Sequence, residues 1–558
     1  MGATLRALRA FVLLAGFHLL GLVLLVLLGA LDWAAYRWAP AGWALKTYVI
    51  SFLLAVPVVR GMALLRTPRD EGTAGLPVTE AEEPRLWAAV RELAEQVGTR
   101  APDEIRLTSD MNAAVTEDAR FLGLLGGTRR LYLGLPLVAG LSEAQLRAVL
   151  AHELGHYGNS DTRLSGITER SRVQVARTIA QFEEKSDLKI AKERARQERK
   201  SAKRIAKGKA PKEVDTTGVG FTYRTMARIY TAYGRFSMRA TQSTSRRQEI
   251  AADLAAARIA GRDATASALR VLPALGNAHE FYLSSYATLG VEFGMLPPRG
   301  EVFGGVRHLL DARAGELTGM RDELPAEPAS PYDSHPPTAE RVAAIEALPD
   351  DGRTAAEDHP AFALFPSPET VLCRVEDATL APEALQMRRL DWPDLVHESM
   401  TAMYVRDTEP LRSAVAELPR SARGADPAGA PAPDGGAGAP APADRVGALH
   451  AQVETFLDAV DAGAVWELVD RLPKSEQAAA ATGRAAREFA RSSLRRELAR
   501  LVTTVLTADG RARWQISWSA AARLRLPEGC AERLPAALDA AIAERPDTEP
   551  LRKLLATA

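Results

Sequence analysis

The sequence predicts a mainly α-helical protein with a small β-sheet, and three observations carry that reading. Two long apolar runs open the chain, helical periodicity with capping signals recurs beyond them, and short β-like segments cluster in one turn-rich stretch before residue 140. At 558 residues the chain exceeds one ordinary domain. Its composition divides it into a transmembrane helical hairpin at 1–70, a central domain at 77–420, a linker at 421–445 and a helical C-terminal domain at 446–558.

Phe11 to Leu31 is apolar apart from His18, and about 20 such residues cross the hydrocarbon of a bilayer as a helix. The second run lies at about 43–65, where Lys46 and Arg60 bound a shorter uncharged stretch that spans only if both side chains snorkel outward. Trp33, Trp38 and Trp43 cluster between the runs, as aromatic rings do at a membrane interface. Arg6 and Arg9 precede the pair, while Arg60, Arg66 and Arg69 close it. The positive-inside rule then predicts a multi-pass protein of the cell membrane with everything after Arg69 in the cytoplasm; if only the first run spans, the main domain lies outside.

Thr79 with Glu82 forms a capping-box pattern that opens a helix ending near Gly98. Ile105 to Thr108, Ala113 to Thr116 and Arg130 to Leu135 read as strands. Ser142 with Gln145 caps a helix that runs into His152, and Ser245 with Gln248 caps another over Arg246 to Ala260, stopped by Gly261. The charged insertion at 183–212 reads as a solvated helix or partly disordered segment, with a basic surface for anionic lipid or a partner as the second reading. The Ala, Pro and Gly repeats of 421–445 cannot bury enough apolar surface to fold. Beyond them come helices and a short strand at Trp514 to Trp518, with no catalytic motif.

The charge balance of 70 basic and 70 acidic residues argues against a nucleic-acid partner, which normally demands a basic surface. Cys373 and Cys530, the two cysteines, have no spacing for a thiolate metal site or a disulfide framework.

The chemistry centres on His152-Glu153-Leu154-Gly155-His156. Spacing i, i+4 on a helix puts both imidazoles on one face, able to share a Zn²⁺, and Glu153 then stands beside the metal to take a proton from its water. A catalytic zinc needs a third protein ligand and an open fourth position. Asn159 and Thr162 stand where one class of zinc peptidase has Gly and His, so the ligand must come from elsewhere. Glu249 and Asp253, one turn apart on another predicted helix, supply a candidate ligand and a carboxylate to receive the outer N–H of a ligating histidine.

With these residues in place, the stretch from Asn112 to Arg341 resembles the membrane gluzincin zinc metallopeptidases of the HtpX and CAAX prenyl endopeptidase type, metallopeptidase family forty-eight. The match rests on Asn112-Ala113, HELGH, EIAAD, and Ser334-His335-Pro336-Pro337 with Arg341, in that order. It implies a gluzincin-like peptidase domain with one Zn²⁺ per chain, substrate backbone bound at Asn112 and Ala113, and His335 donating to the oxyanion. No second apolar pair lies between His156 and Glu249, unlike in the membrane-embedded members, so a globule tethered at the membrane surface is expected. The expected activity is zinc metalloendopeptidase action on unfolded or membrane proteins in quality control. The alternatives are CAAX-type processing and a non-catalytic zinc-stabilised scaffold.

Overall fold

The computed structural model of the chain describes residues 3–63, 75–117, 127–156, 162–205, 215–322, 324, 336–352, 359–417, 442–464 and 482–557. It is mainly helical with small sheets and divides into two compact units. The first takes Met1–His279 with Ala314–Thr379, and the second takes Glu280–Arg313 with Leu380–Ala558. The stretch 77–420 therefore contributes to both units.

In the first unit, α1 (Ala3–Trp38) and α2 (Ala41–Ala63) form the N-terminal hairpin. Segments Ala15–Trp38 and Ala41–Arg60 are each long and apolar enough to cross a membrane. Lys46 turns its ammonium toward the Trp43 ring, 5.0 Å from the centroid, which directs the charge toward the tryptophan end.

The sheet order is β1 (Leu76–Val78), β2 (Glu104–Thr108), β4 (Arg129–Gly134), β3 (Ala113–Glu117). β2 and β4 are parallel, while β3 runs antiparallel to β4 with Ala113 opposite Leu133 and Val115 opposite Leu131. β3 thus lies at the edge, and its outer side has no strand partner among the described residues. Ile105, Leu107, Leu131 and Leu133 are fully buried with Leu86, Val90 and Leu93 of α3 (Pro84–Val97).

The Thr79–Glu82 pair forms, with Glu82 Oε2 accepting from the Thr79 N–H at 2.8 Å, but it closes a turn and the helix begins later, at Pro84. Proline's fixed φ and missing N–H suit the first helical position, so it sets the start. After the short α4 (Leu135–Gly140), α5 (Glu143–Gly155) begins at a complete capping box between Ser142 and Gln145.

Two long helices follow: α6 (Thr162–Ile205), which absorbs the charged stretch as far as 205, and α7 (Phe221–Ala260). The sequence had α7 starting at Arg246, but the 40-residue helix is continuous. It ends at Gly261, whose φ of 107° only glycine tolerates readily. α6 and α7 pack along the hairpin, where Phe17, Leu24, Leu54 and Val58 share an apolar cluster with Val175, Phe182, Tyr223 and Tyr230. One face of the apolar hairpin is therefore covered by protein, and the hairpin is more than a loose tether.

α8 (Arg262–Tyr282) crosses into the second unit. There Met295–Leu296 pairs in parallel with Arg388–Arg389, which ties the 280–313 segment to the later chain. Trp518 stacks on Tyr286, centroids 4.7 Å apart, and meets Trp392 edge-on at 5.0 Å. Phe456, Leu498, Val505 and Leu551 fill the remaining helical core.

Gly134 is the tightest point below the edge strand. Its N–H donates to the Asn112 carbonyl at 2.8 Å, and a Cβ there would lie 1.8 Å from the Asp110 carbonyl oxygen. A Cβ on Gly155 would meet Ala252 at 3.7 Å, an ordinary contact. Gly134→Ala is therefore expected to destabilise the protein by about 1–3 kcal/mol or more, and Gly155→Ala to cost almost nothing, in paired thermal melts. Equal shifts would contradict the packing.

Candidate metal centre

Leu146, Leu150 and Leu154 anchor α5 in the core, which leaves His152, Glu153 and His156 on the part-exposed side and at the helix end. Glu249, Ala252, Asp253 and Ala256 follow i, i+3, i+4, i+7 spacing, one face of α7. Small side chains at Gly155, Ala252 and Ala256 let α7 approach α5 closely, bringing Glu249 within reach of the histidines.

The Nε2 atoms of His152 and His156 lie 3.1 Å apart, with the rings nearly perpendicular. Glu249 places one carboxylate oxygen 3.6 Å from each of them. Donor atoms of all three residues lie within 4.8 Å of one another. On its other side, His152 presents Nδ1 to the Asp253 carboxylate at 2.8 Å. A proton on Nδ1 leaves a lone pair on Nε2, so imidazole lone pairs and a carboxylate converge on one point. Two histidines and one glutamate with an open fourth position are the donor set of a catalytic zinc, and these residues fit that ion.

Arg341, from helix Thr338–Glu346, grips Asp253 with two parallel bonds of 2.7 and 2.8 Å. The sequence named Arg341 as part of a motif and assigned it no task. Its clamp could be found only once α7 and the later helix were seen side by side. Asp253 is 1% exposed. Burial would raise its pKa, but the bonds from Arg341 and His152 hold it below the ordinary value. For His152 burial disfavours the charged form, yet Asp253, Glu249 and Glu153 raise its pKa to about 9. Glu153 also acts on Arg341, so its charge is felt across the site.

The structure brings together His152, Glu153, His156, Glu249, Asp253 and Arg341. Asn112 and Ala113 stand at the start of edge strand β3, which packs against α5. His335 lies outside the described residues. The nearby His359-Pro360 is the other histidine–proline pair that could play its part, and its position argues against that. The His359 carbonyl accepts from the Glu143 N–H at 2.7 Å, at the start of α5. Nine residues of helix, about 14 Å, separate that point from His152.

A metal-binding HExxH helix, a glutamate ligand from a second helix and an edge strand beside them define a gluzincin-type metallopeptidase site. In agreement, residues 80–348 match the model described as Peptidase family M48, which supports a metallopeptidase domain over this part of the chain. Family M48 is zinc-dependent, so the chain carries a metallopeptidase domain. No curated protein and no solved structure matches the chain.

Two predictions follow from the clamp and the charge. Arg341→Met strands a buried carboxylate, which costs about 3–5 kcal/mol, and loosens His152, which lowers zinc affinity about 10–100-fold. Melting temperature and zinc retained against a chelator check both. Arg341→Lys keeps the charge but loses the fork and should fall between. In the metal-free protein, the raised His152 pKa contributes stability that is fully present below pH 6.5 and is lost as pH rises through about 9. Zinc requires the neutral ring, so its apparent affinity should rise with pH across that window by about tenfold per unit. A flat zinc titration from pH 6.5 to 9 would contradict the assignment.

Proposed function

We propose that this protein is a membrane-anchored zinc metalloendopeptidase binding one Zn²⁺ per chain through His152, His156 and Glu249. The observation that carries the reading is the convergence of the two Nε2 atoms on the Glu249 carboxylate. Zinc bound there supplies a Lewis acid for the scissile carbonyl and lowers the pKa of water toward neutrality. Glu153, beside His152 and partly exposed, takes the proton from the attacking water and delivers it to the leaving amine. Asp253 fixes the His152 tautomer, and Arg341 fixes Asp253.

Substrate enters as an added strand on β3, starting at Asn112 and Ala113, so the enzyme takes extended peptide. His335 is the donor assigned to the carbonyl oxygen by its place in the family motif. An anchored peptidase that accepts extended chain suits unfolded and membrane proteins, hence quality control. The hairpin is the anchor, and the arginines at both its ends support a cytoplasmic peptidase domain.

Zinc content and cleavage of casein, compared between wild type and Glu153→Gln in detergent, test the proposal. Both proteins should hold stoichiometric zinc, and the variant should cleave about 10²–10⁴-fold more slowly. Absence of zinc from the wild type overturns the ligand set, and equal cleavage overturns the role of Glu153.

A further inference from the structure

The helical bundle that covers the hairpin presents two unlike surfaces. On α1 and α2 the exposed side chains are apolar, among them Leu22, Val26, Leu27, Val49, Phe52 and Leu53. On α6 the exposed positions include Glu183, Glu184, Asp187, Lys189, Lys192 and Arg196. Charged side chains at the hydrocarbon centre are expensive, so the charged stretch of α6 beyond Phe182 cannot enter the acyl region. The boundary between hydrocarbon and headgroups must then follow the seam between α2 and α6, which embeds the hairpin by its free face.

A cavity of about 480 Å³ opens on that seam. Ile50 of α2 lines one side and Lys189, Lys192 and Arg196 of α6 another, with Glu193 and the first turn of α7 completing it. Three cations against one carboxylate leave the cavity with a formal charge of +2. Glu193 pairs with Arg196 at 3.5 Å, and among the described residues neither lysine has a carboxylate partner. Lys189 instead stands 5.7 Å from the Tyr223 ring centroid.

The wall is built rather than incidental. Gln197 exchanges two hydrogen bonds, of 2.6 and 2.8 Å, with the Asp215 backbone and so fixes the chain that enters α7. Gly220, with φ of 77°, sits where a Cβ would be 2.5 Å from the Ser186 hydroxyl, a closeness that only glycine permits.

We propose that this seam pocket binds the phosphate of an anionic phospholipid, whose acyl chains lie along the exposed face of α1 and α2. The phosphate supplies the countercharge that Lys189 and Lys192 lack, and Ile50 marks where headgroup gives way to hydrocarbon. The site rests on the membrane attachment proposed above and is independent of peptidase chemistry.

The test uses the full-length protein in detergent, with bound lipid detected by native mass spectrometry, and the same protein floated with vesicles. The probes are phosphatidylglycerol, phosphatidylcholine and inorganic phosphate. Wild type should retain phosphatidylglycerol in preference to phosphatidylcholine. Lys189→Gln with Lys192→Gln should weaken that retention about 30-fold, since each cation near an anionic surface is worth roughly a factor of five. Arg194→Gln with Arg199→Gln, equal in charge removed but outside the cavity, should retain it. Equal retention by the two double variants, or no preference for phosphatidylglycerol, overturns the proposal. Displacement of the lipid by millimolar inorganic phosphate overturns it in favour of a free-phosphate site. Failure to float with either vesicle removes the membrane premise itself, whereas flotation without lipid selectivity removes only the pocket.

Discussion

The Asp253 carboxylate is the interaction on which the site depends. A carboxylate that is 1% exposed is tolerable only if its charge is answered on the spot, and two partners answer it. Arg341 covers one side with a bidentate grip, and His152 presents Nδ1 to the other. Three helices distant in sequence are thereby held in register: α5 with the histidines, α7 with Glu249, and the helix that begins at Thr338. The pairing also sets direction, because a proton held between His152 and Asp253 leaves the outer nitrogen free to face Glu249.

That clamp could not form if the helices stood at an ordinary distance. Gly155 opposes Ala252, and Ala256 is fully buried one turn further along α7. A methyl at Gly155 still fits, but side chains larger than alanine at these positions would lift α7 off α5 and carry Glu249 out of reach of both Nε2 atoms. The sheet plays the complementary part. Gly134 allows the turn at Asp110 to fold over the end of β4, which puts Asn112 and Ala113 at the start of the edge strand against α5.

Local patterns made much of this legible before any coordinates. The HExxH spacing, the Ser142–Gln145 capping box and the strands around Ile105, Ala113 and Arg130 are set by neighbours within a few residues, and such signals survive in sequence. Signals that depend on distant partners did not. The capping pattern at Ser245 suggested a helix start, yet α7 runs through it, because its preceding turns are held by packing on α6 and on the hairpin. Thr79 and Glu82 made their bonds, but Pro84 decided where the helix could begin. The clamp made by Arg341 was invisible for the same reason: Asp253 lies 88 positions away in sequence.

α7 connects the two ends of this architecture. Its first turn lines the cavity beside α2, and Glu249 lies 28 residues later, about 42 Å along the same uninterrupted helix. No proline interrupts it, and proline is the commonest cause of a sharp kink. Glu249 is thereby tied through one uninterrupted helix to the turn that lines the cavity. The charged stretch as far as 205 continues α6 as a helix with mostly exposed side chains, while Val175, Ile179 and Phe182 ahead of it pack on the hairpin.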